Sequence, residues 1–439
     1  MSGEELFGEL PEGKRVAEAV APSAPRLLEP VRDQIELRAV DIESLIGESH
    51  PARVIWAYVE RLDLSELEAR IKARDDRPGH PATSPRLLLA VWLVATSDGV
   101  GSARALERLC DHHDVYRWLC GGVAVNYHTL SDFRVGHADL LDRLLAEHLA
   151  ALAEAKLVDL DTLAQDGVRV RANAGAASFR RAATLDQHLA IAEAVVEQLK
   201  QEVDTNSDAS NQRIKAAKER AARERSERLR AAQSALAEVK QQRERRKRDN
   251  GKKSKEPRAS TTDAEARVMK MADGGFRPAY NVQVTSVAGE PIVADVKVCN
   301  NGSDRGLMWP ALERLRARTG SWPKRHLADG GFNSADDIER AHAENIEVYC
   351  PPTQSKHGTD PYRPRRGDGP GILAWRTRMA SDAGQACYKL RSICECIHAR
   401  WRNWDLRQLT VRGTEKVRAV ILLYALTNNI LQAHRLATP

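Results

Sequence analysis

The sequence lacks what a membrane span, a disulfide scaffold or a secreted chain would need. No apolar run reaches the ~18–20 residues of a membrane helix. The best stretches, Leu87–Ala95 and Val417–Ile430, are too short or interrupted. Seven cysteines are an odd number without regular spacing, which argues against a disulfide framework. Cys394 and Cys396 with His398, and Cys110, His112, His113 and Cys120, lack the paired spacing of structural zinc ligands. The N-terminus, MSGEELFGELPEGKR, is acidic and has no secretory apolar segment, so a cytoplasmic protein is expected. Aromatics are scarce at 5%, but hydrophobic residues make up 42% of the 439, which is too many for a disordered chain.

A large net charge is also missing: 67 Lys and Arg against 61 Asp and Glu leave +6. The excess is unevenly placed. Residues 209–258 hold 18 basic and 7 acidic residues, a local +11 that leaves −5 for the rest. One basic segment on a near-neutral body points to an acidic polymer as partner, nucleic acid first. Arg243, Arg245, Arg246, Lys247, Arg248, Lys252 and Lys253 are its candidate phosphate contacts.

Residues 1–45, with Pro22, Pro25 and Pro30 and little periodicity, read as a weakly ordered leader. Residues 46–150 read as an all-α N-terminal domain of short helices. Ser84 and Pro85 make a cap and first-turn pair before LLLAVWLVAT, and Gly99, Gly101, Gly121 and Gly122 punctuate the helical stretches after it. From about Leu157 the pattern turns to strands, which gives an α/β domain over 151–439. In LVDLDTLAQDGVRVRA the even positions are mostly apolar. Asp166 falls on that apolar face, while Asp159 and Asp161 fall on the polar one. A carboxylate among apolar residues is costly unless it is hydrogen-bonded or holds a metal.

Residues 186–258 interrupt this domain. A 3-4 apolar spacing runs from Leu189 to Val203 and again from Ile214 to Val239, which predicts an antiparallel helical hairpin. Its end, RERRKRDNGKKSKEPR, loses the apolar face and reads as a mobile basic loop. Strands resume at Tyr280–Ser286 and Pro291–Val298 as a hairpin, then at Lys324–Ala328 and Glu347–Cys350. Ser334 with Asp337 reads as a capping-box-like helix start. Two helical stretches come last, around Gly384–Asp405 and Lys416–Leu431.

The order strand, hairpin, helix, strand, helix, strand, helix is similar to an RNase H-like fold. Asp166 lies on its first strand, Asp329 at the end of a later one, and Glu395 on a late helix. Carboxylates from separate elements are what paired divalent ions need. At ~100° per residue, Tyr388, Arg391, Glu395, His398 and Arg402 fall near one helix face. Cations beside such a carboxylate suit phosphate oxygens. ADGGF occurs twice; Asp329 follows a strand and precedes a helix, so it is preferred to Asp273, and Asp161 is the alternative to Asp166. Trp375, expected in a loop between Asp329 and Glu395, is the best candidate for stacking on an unpaired base.

Tyr388, Arg391, Glu395 and Arg402 together resemble the Y-R-E-K signature of bacterial insertion-sequence DDE transposases, with Arg402 in place of the usual Lys. QDGVRVRANAG (165–175) is similar to the segment bearing the first Asp, and LADGGFNS (327–334) to the second. ASTTDAEARVMKMADGGFRPAYNVQV (259–284) is similar to the central block. SHPARVIWAYVERLDLSEL (49–67) and NYHTLSDFR (126–134) resemble the N-terminal helical domain. The likeness is nearest to the branch called insertion-sequence family 1182 and covers roughly residues 33–435.

The resemblance implies a metal-binding triad of Asp166, Asp329 and Glu395, with two Mg²⁺ or Mn²⁺ ions. It implies cleavage at element ends and joining of the freed 3′-OH to target DNA. Tyr388, Arg391 and Arg402 would position phosphates. The N-terminal domain would read the inverted repeats of double-stranded DNA, and a homodimer would hold two ends, in a bacterial cytoplasm and at its nucleoid. A catalytically silent, domesticated DNA-binding descendant is the alternative.

Overall fold

The computed structural model describes residues 39–438, apart from 75, 77–79, 205–208, 251–255 and 353–359. Most of the expected leader, and Lys252 and Lys253, therefore lie outside the described residues. From Ile42 onward the described chain gathers into one compact unit. Among the described residues no helix is long and apolar enough to cross a membrane.

Among the described residues the elements before the first strand are helical: α1 (Pro51–Glu60), α2 (Ser65–Ala69), α3 (Pro85–Ser97), α4 (Ala103–His112), α5 (Asp114–Cys120), α6 (Tyr127–Gly136) and α7 (Ala138–Glu154). Pro85 opens α3 with a preset φ and a missing N–H that the first turn does not use. Ser84 stands at the cap position, but its side chain makes no capping bond. Gly121 ends α5 in the left-handed region, at φ 55°, a conformation costly for any residue with a Cβ.

The next elements are β1 (Thr162–Arg171), β2 (Phe179–Arg180), α8 (Ala182–Asp204), α9 (Ala209–Asn250), β3 (Ala259–Ser260), β4 (Arg267–Lys270), β5 (Phe276–Val287) and β6 (Val293–Cys299). Then come α10 (Met308–Thr319), β7 (Arg325–Ala328), α11 (Ala335–Ala343), β8 (Glu347–Tyr349), α12 (Pro370–Ala380), α13 (Asp382–Lys389), α14 (Ile393–Asn403) and α15 (Thr414–Ala437). The six-stranded sheet runs β4-β5-β1-β7-β8, with β6 also paired to β5. β5 is antiparallel to β1, while β7 and β8 run parallel to it. Ser334 precedes α11 without a capping bond, and Asp337 instead accepts from the Trp309 N–H at 3.5 Å, so no capping box forms.

α15 ties the helices to the sheet. Asn429 accepts from the Val293 N–H at 2.8 Å and donates to the Val293 carbonyl at 2.7 Å, and Asn428 donates to the Pro291 carbonyl at 2.8 Å. These amides satisfy edge groups of β6 that have no strand beside them. The helices before β1 share one apolar core with β5, β6, α14 and α15. The division expected between residues 150 and 151 thus lies inside α7, which ends at Glu154, and the helices before it share a core with the sheet.

The insertion leaves at β2 and returns at β3, which pair as a two-stranded clip. Leu185, Ala192, Leu229, Ala232 and Leu236 fill the seam of the α8–α9 hairpin. Arg230 pairs with Glu193 at 2.8 Å and Gln233 donates to Asp186 at 2.5 Å, the opposed order of antiparallel helices. One expectation is corrected. The basic run from Arg243 through Arg248 is helical, and α9 continues to Asn250. Arg and Lys are good helix formers, and extending an existing helix needs no new nucleus.

Candidate active site

β1 puts Asp166 midway along the central strand, opposite Val284 of β5. On its other side the parallel ladder with β7 ends at Gln165 and Ala328. Asp166 and Asp329 are the next residues in that register. Neighbours in register on parallel strands turn their side chains to the same face, on strands about 4.8 Å apart. β7 stops there because Asp329 opens a 3-10 turn, Gly330–Phe332, and accepts the Gly330 N–H at 2.6 Å.

α14 packs over β1 and β5 and carries Glu395 in its first turn, where the helix end favours a carboxylate. Arg391 links these elements. Its guanidinium donates to Asp166 at 3.1 Å and to Glu395 at 3.3 Å, and lies 5.7 Å from the centre of the Tyr388 ring. The Asp166 side chain is sheltered, at 19% exposure, while that of Glu395 is open at 67%.

The electrostatics reflect this crowding. Burial pushes the Asp166 carboxyl above the usual carboxylate range; Arg391 and the Gly167 N–H pull against it, while Asp329 and Asp304 add to the rise. Burial works against the Arg391 charge, but Asp166, Tyr388 and Asp329 outweigh it and the guanidinium is held more firmly protonated. Burial raises the Tyr388 hydroxyl, with Arg391 opposing. His398 is pushed down to about 4 by burial and by Arg402 and Arg391, so its approach to Asp166 at 3.8 Å is not an ion pair near neutral pH.

The helix face expected to carry Tyr388, Arg391, Glu395, His398 and Arg402 is not continuous. α13 ends at Lys389, and a 3-10 turn over Leu390–Ser392 intervenes before α14. Tyr388, Arg391 and Glu395 still meet. Arg402 is exposed, and among the described residues its side chain makes no ion pair or hydrogen bond. Arg243 lies on α9, away from these groups in sequence and element; Arg245, Arg246, Lys247 and Arg248 come after it on the same helix. Asp273 sits in an exposed turn paired with Arg277 at 2.7 Å, and Asp161, just before β1, pairs with Lys324 at 2.5 Å. Trp375 is in α12 and not in a loop. It is buried, and its indole donates to the Cys350 carbonyl at 2.9 Å, so its face is packed in the core and not open to a base.

Alternation also misjudges the odd face of β1. Gln165 is fully buried, and its amide donates to Gln283 at 3.0 Å while its carbonyl meets His326 at 3.1 Å. This polar chain across β7, β1 and β5 leads to Asp304, which accepts from Asn281 at 2.7 Å and from Gln283 at 2.8 Å and pairs with Arg169 at 3.3 Å. Asp304 is the carboxylate that sequence patterning does not flag. It stands in NNGSD, which reads as an ordinary turn. The signal that could have found it is Asn281 and Gln283 alternating with Val282 and Val284, two amides on one face of a strand.

Among the described residues no three His, Cys, Asp or Glu side chains gather closely enough to hold a metal ion as they stand. The Arg391 guanidinium stands between Asp166 and Glu395.

Asp166 on β1, Asp329 just after β7 and Glu395 on α14 laid over β1 thus belong to one mixed α/β structure. Two family models give its class. The Transposase DDE domain matches residues 246–430, which include Asp329 and Glu395 but not β1. A second transposase domain, DUF772, matches residues 40–136. Together the two matches indicate an insertion-sequence DDE transposase. That family implies nuclease and transferase chemistry, DNA as partner, and divalent metal ions as the usual cofactor. No curated protein and no solved structure matches the chain.

Proposed function

We propose that this transposase cuts phosphodiester bonds at the ends of its element and joins the freed 3′-OH to target DNA, with Asp166, Asp329 and Glu395 as the catalytic carboxylates. The observation that carries this is the β1–β7 ladder that ends at Gln165 and Ala328, the residues just before Asp166 and Asp329, and the single guanidinium that reaches both Asp166 and Glu395. The sheet order β6-β5-β1-β7-β8, with β5 antiparallel, supports an RNase H-like reading of the fold. The motif order supports the family 1182 branch.

The donor set fits divalent ions. All three groups offer oxygen, which hard cations such as Mg²⁺ or Mn²⁺ prefer. Asp166 is a half-buried carboxyl raised by burial and by Asp329 and Asp304, and Arg391 already supplies positive charge between Asp166 and Glu395. Two ions held by these residues would supply an activated attacking oxygen and a stabilised leaving oxygen. Arg391 then offers its fork to a phosphate oxygen, and Tyr388 holds that fork in place across its ring. Arg402 is exposed at the far end of α14 and would meet DNA farther from the scissile bond. The helices before β1 would read the ends of duplex DNA, the basic stretch of α9 would add phosphate contacts, and a dimer would pair two ends.

The test is strand cleavage of a plasmid carrying the element's own ends. Asp166→Asn, Asp329→Asn and Glu395→Gln should each abolish cleavage in Mg²⁺ while duplex binding persists. A variant that still cleaves at full rate removes that residue from the site.

A further inference from the structure

The base of the insertion holds a cavity of about 440 Å³ that none of the acidic residues explains. It is bordered by Arg180 of β2, His188 of α8, Arg225 and Arg228 of α9, Thr262 before β4, and Arg412 in the loop between α14 and α15. No lining residue among those described is acidic. Among the described residues, the side chains of Arg180 and Arg225 have no hydrogen bond or ion pair. Arg228 has only a loose pair with Glu224 at 3.9 Å, and Arg412 donates its Nε to the Asn173 carbonyl at 3.3 Å.

Four guanidinium groups from three segments of the chain around one cavity repel one another unless an anion sits among them. Arg is the side chain whose planar fork matches phosphate oxygens, and His and Thr side chains can add donors. The cavity also lies at the end of β1. The Arg171 N–H and carbonyl bond to Arg407 and Leu409, and this same stretch leads directly to Arg412. From Asp166 to Arg171 is five residues, or roughly 17 Å of strand. That is about half of one ~34 Å turn of duplex DNA. A duplex whose phosphate lay at Asp166 could reach the cavity within the same turn.

We propose that this cavity is a backbone-phosphate site for duplex DNA, and that the insertion grips DNA at the base of its hairpin through Arg180, Arg225, Arg228 and Arg412. The ligand class is a phosphodiester, and its identity as DNA rests on the transposase reading. The site is separate from the basic stretch at Arg243–Arg248, which is farther along α9.

The experiment measures anisotropy of a labelled 40-base-pair duplex with the full chain over a range of KCl concentrations. Removing one phosphate-binding cation should lower the slope of log affinity against log salt by about 0.9. Arg180→Gln, Arg225→Gln and Arg412→Gln should each lower the slope by about one unit, and the triple variant by about two to three. The corresponding triple Lys variant should recover most of the slope, because charge is what releases counterions. All three positions are exposed, so circular dichroism and the melting temperature should match the parent. If the triple Gln variant fails to fold, the single variants decide the question.

An unchanged slope in the folded Gln variants overturns the proposal. A second arm titrates inorganic phosphate and follows the melting temperature. If phosphate stabilises the parent but not the triple variant, while the duplex slope is unchanged, the cavity holds a free anion and the DNA assignment is overturned. A parent chain with no salt-dependent duplex affinity overturns the transposase reading as well. Parent affinity that is independent of these arginines overturns the cavity alone.

Discussion

At Gly167 the chain has no room for even one more carbon. A Cβ there would lie 2.6 Å from both the Asp304 carboxylate and the Gln283 amide. Its absence lets Asp304 close on β1, next to Asp166. Gly167→Ala must push that cluster apart, so it should cost about 1–3 kcal/mol of stability, read in urea, and lower cleavage further than the stability loss explains. Asp304→Asn keeps the shape but removes the charge that pairs with Arg169, and should lower cleavage while leaving the urea midpoint nearly in place. Equal cleavage by both variants and the parent would remove Asp304 from the account. At this scale the sequence was partly legible. Parity along β1 singled out Asp166, because a carboxylate among Val168, Val170 and Ala164 is anomalous. The same parity gives no sign that Gln165 is buried, because alternation cannot distinguish water from a buried chain of amides.

Between elements, the strongest ties are ionic and buried. Asp295 of β6 is paired with Arg314 at 2.9 Å and with Arg318 at 3.1 Å, both on α10. Arg318 also reaches Asp142 of α7 at 2.5 Å, and Arg418 of α15 reaches the same carboxylate at 2.8 Å. Removing Asp295 takes the carboxylate from Arg314 and one of two from Arg318, which keeps Asp142. Asp295→Ala should therefore cost about 1–3 kcal/mol. A shift below about 1 kcal/mol would show that water already compensates these charges. In the insertion, Leu189, Ala192, Leu229, Ala232 and Leu236 of the spaced apolar set meet in the seam, whereas Ile214 of the same set is exposed. The 3-10 turn between α13 and α14 was not legible. Leu390–Ser392 contains no Gly or Pro to signal a break. The helical course of Arg243–Arg248 was missed for a related reason. A basic run without an apolar face lacks periodicity, but it can still extend a helix begun elsewhere.

For the whole molecule, acid is the condition that tests the packing. His326 is fully buried at the heart of the sheet, and burial lowers it from 6.5 to about 4. Among the described residues its Nδ1 has no hydrogen-bond partner, so nothing described there holds a second proton. Between those two values the unfolded chain binds more protons than the folded one, so stability rises with pH across that window. It should be greatest above pH 6.5 and fall towards pH 4, by about 3 kcal/mol from this residue in full. Urea midpoints at pH 7.5 and 5 should show the fall, and His326→Gln should reduce it, with the remainder coming from groups such as His398 that burial lowers in the same way. An identical slope in the variant would place the acid sensitivity elsewhere.

The central claim is that carboxylates from β1, the end of β7 and α14 act together on a divalent ion. Cysteine substitution tests it most directly, because a thiolate disfavours Mg²⁺ and accepts the softer Mn²⁺ more readily. Asp329→Cys should lose strand cleavage in Mg²⁺ and regain part of it in Mn²⁺, with duplex binding unchanged. Cleavage by Asp329→Cys in Mg²⁺ at the parent rate would contradict the account.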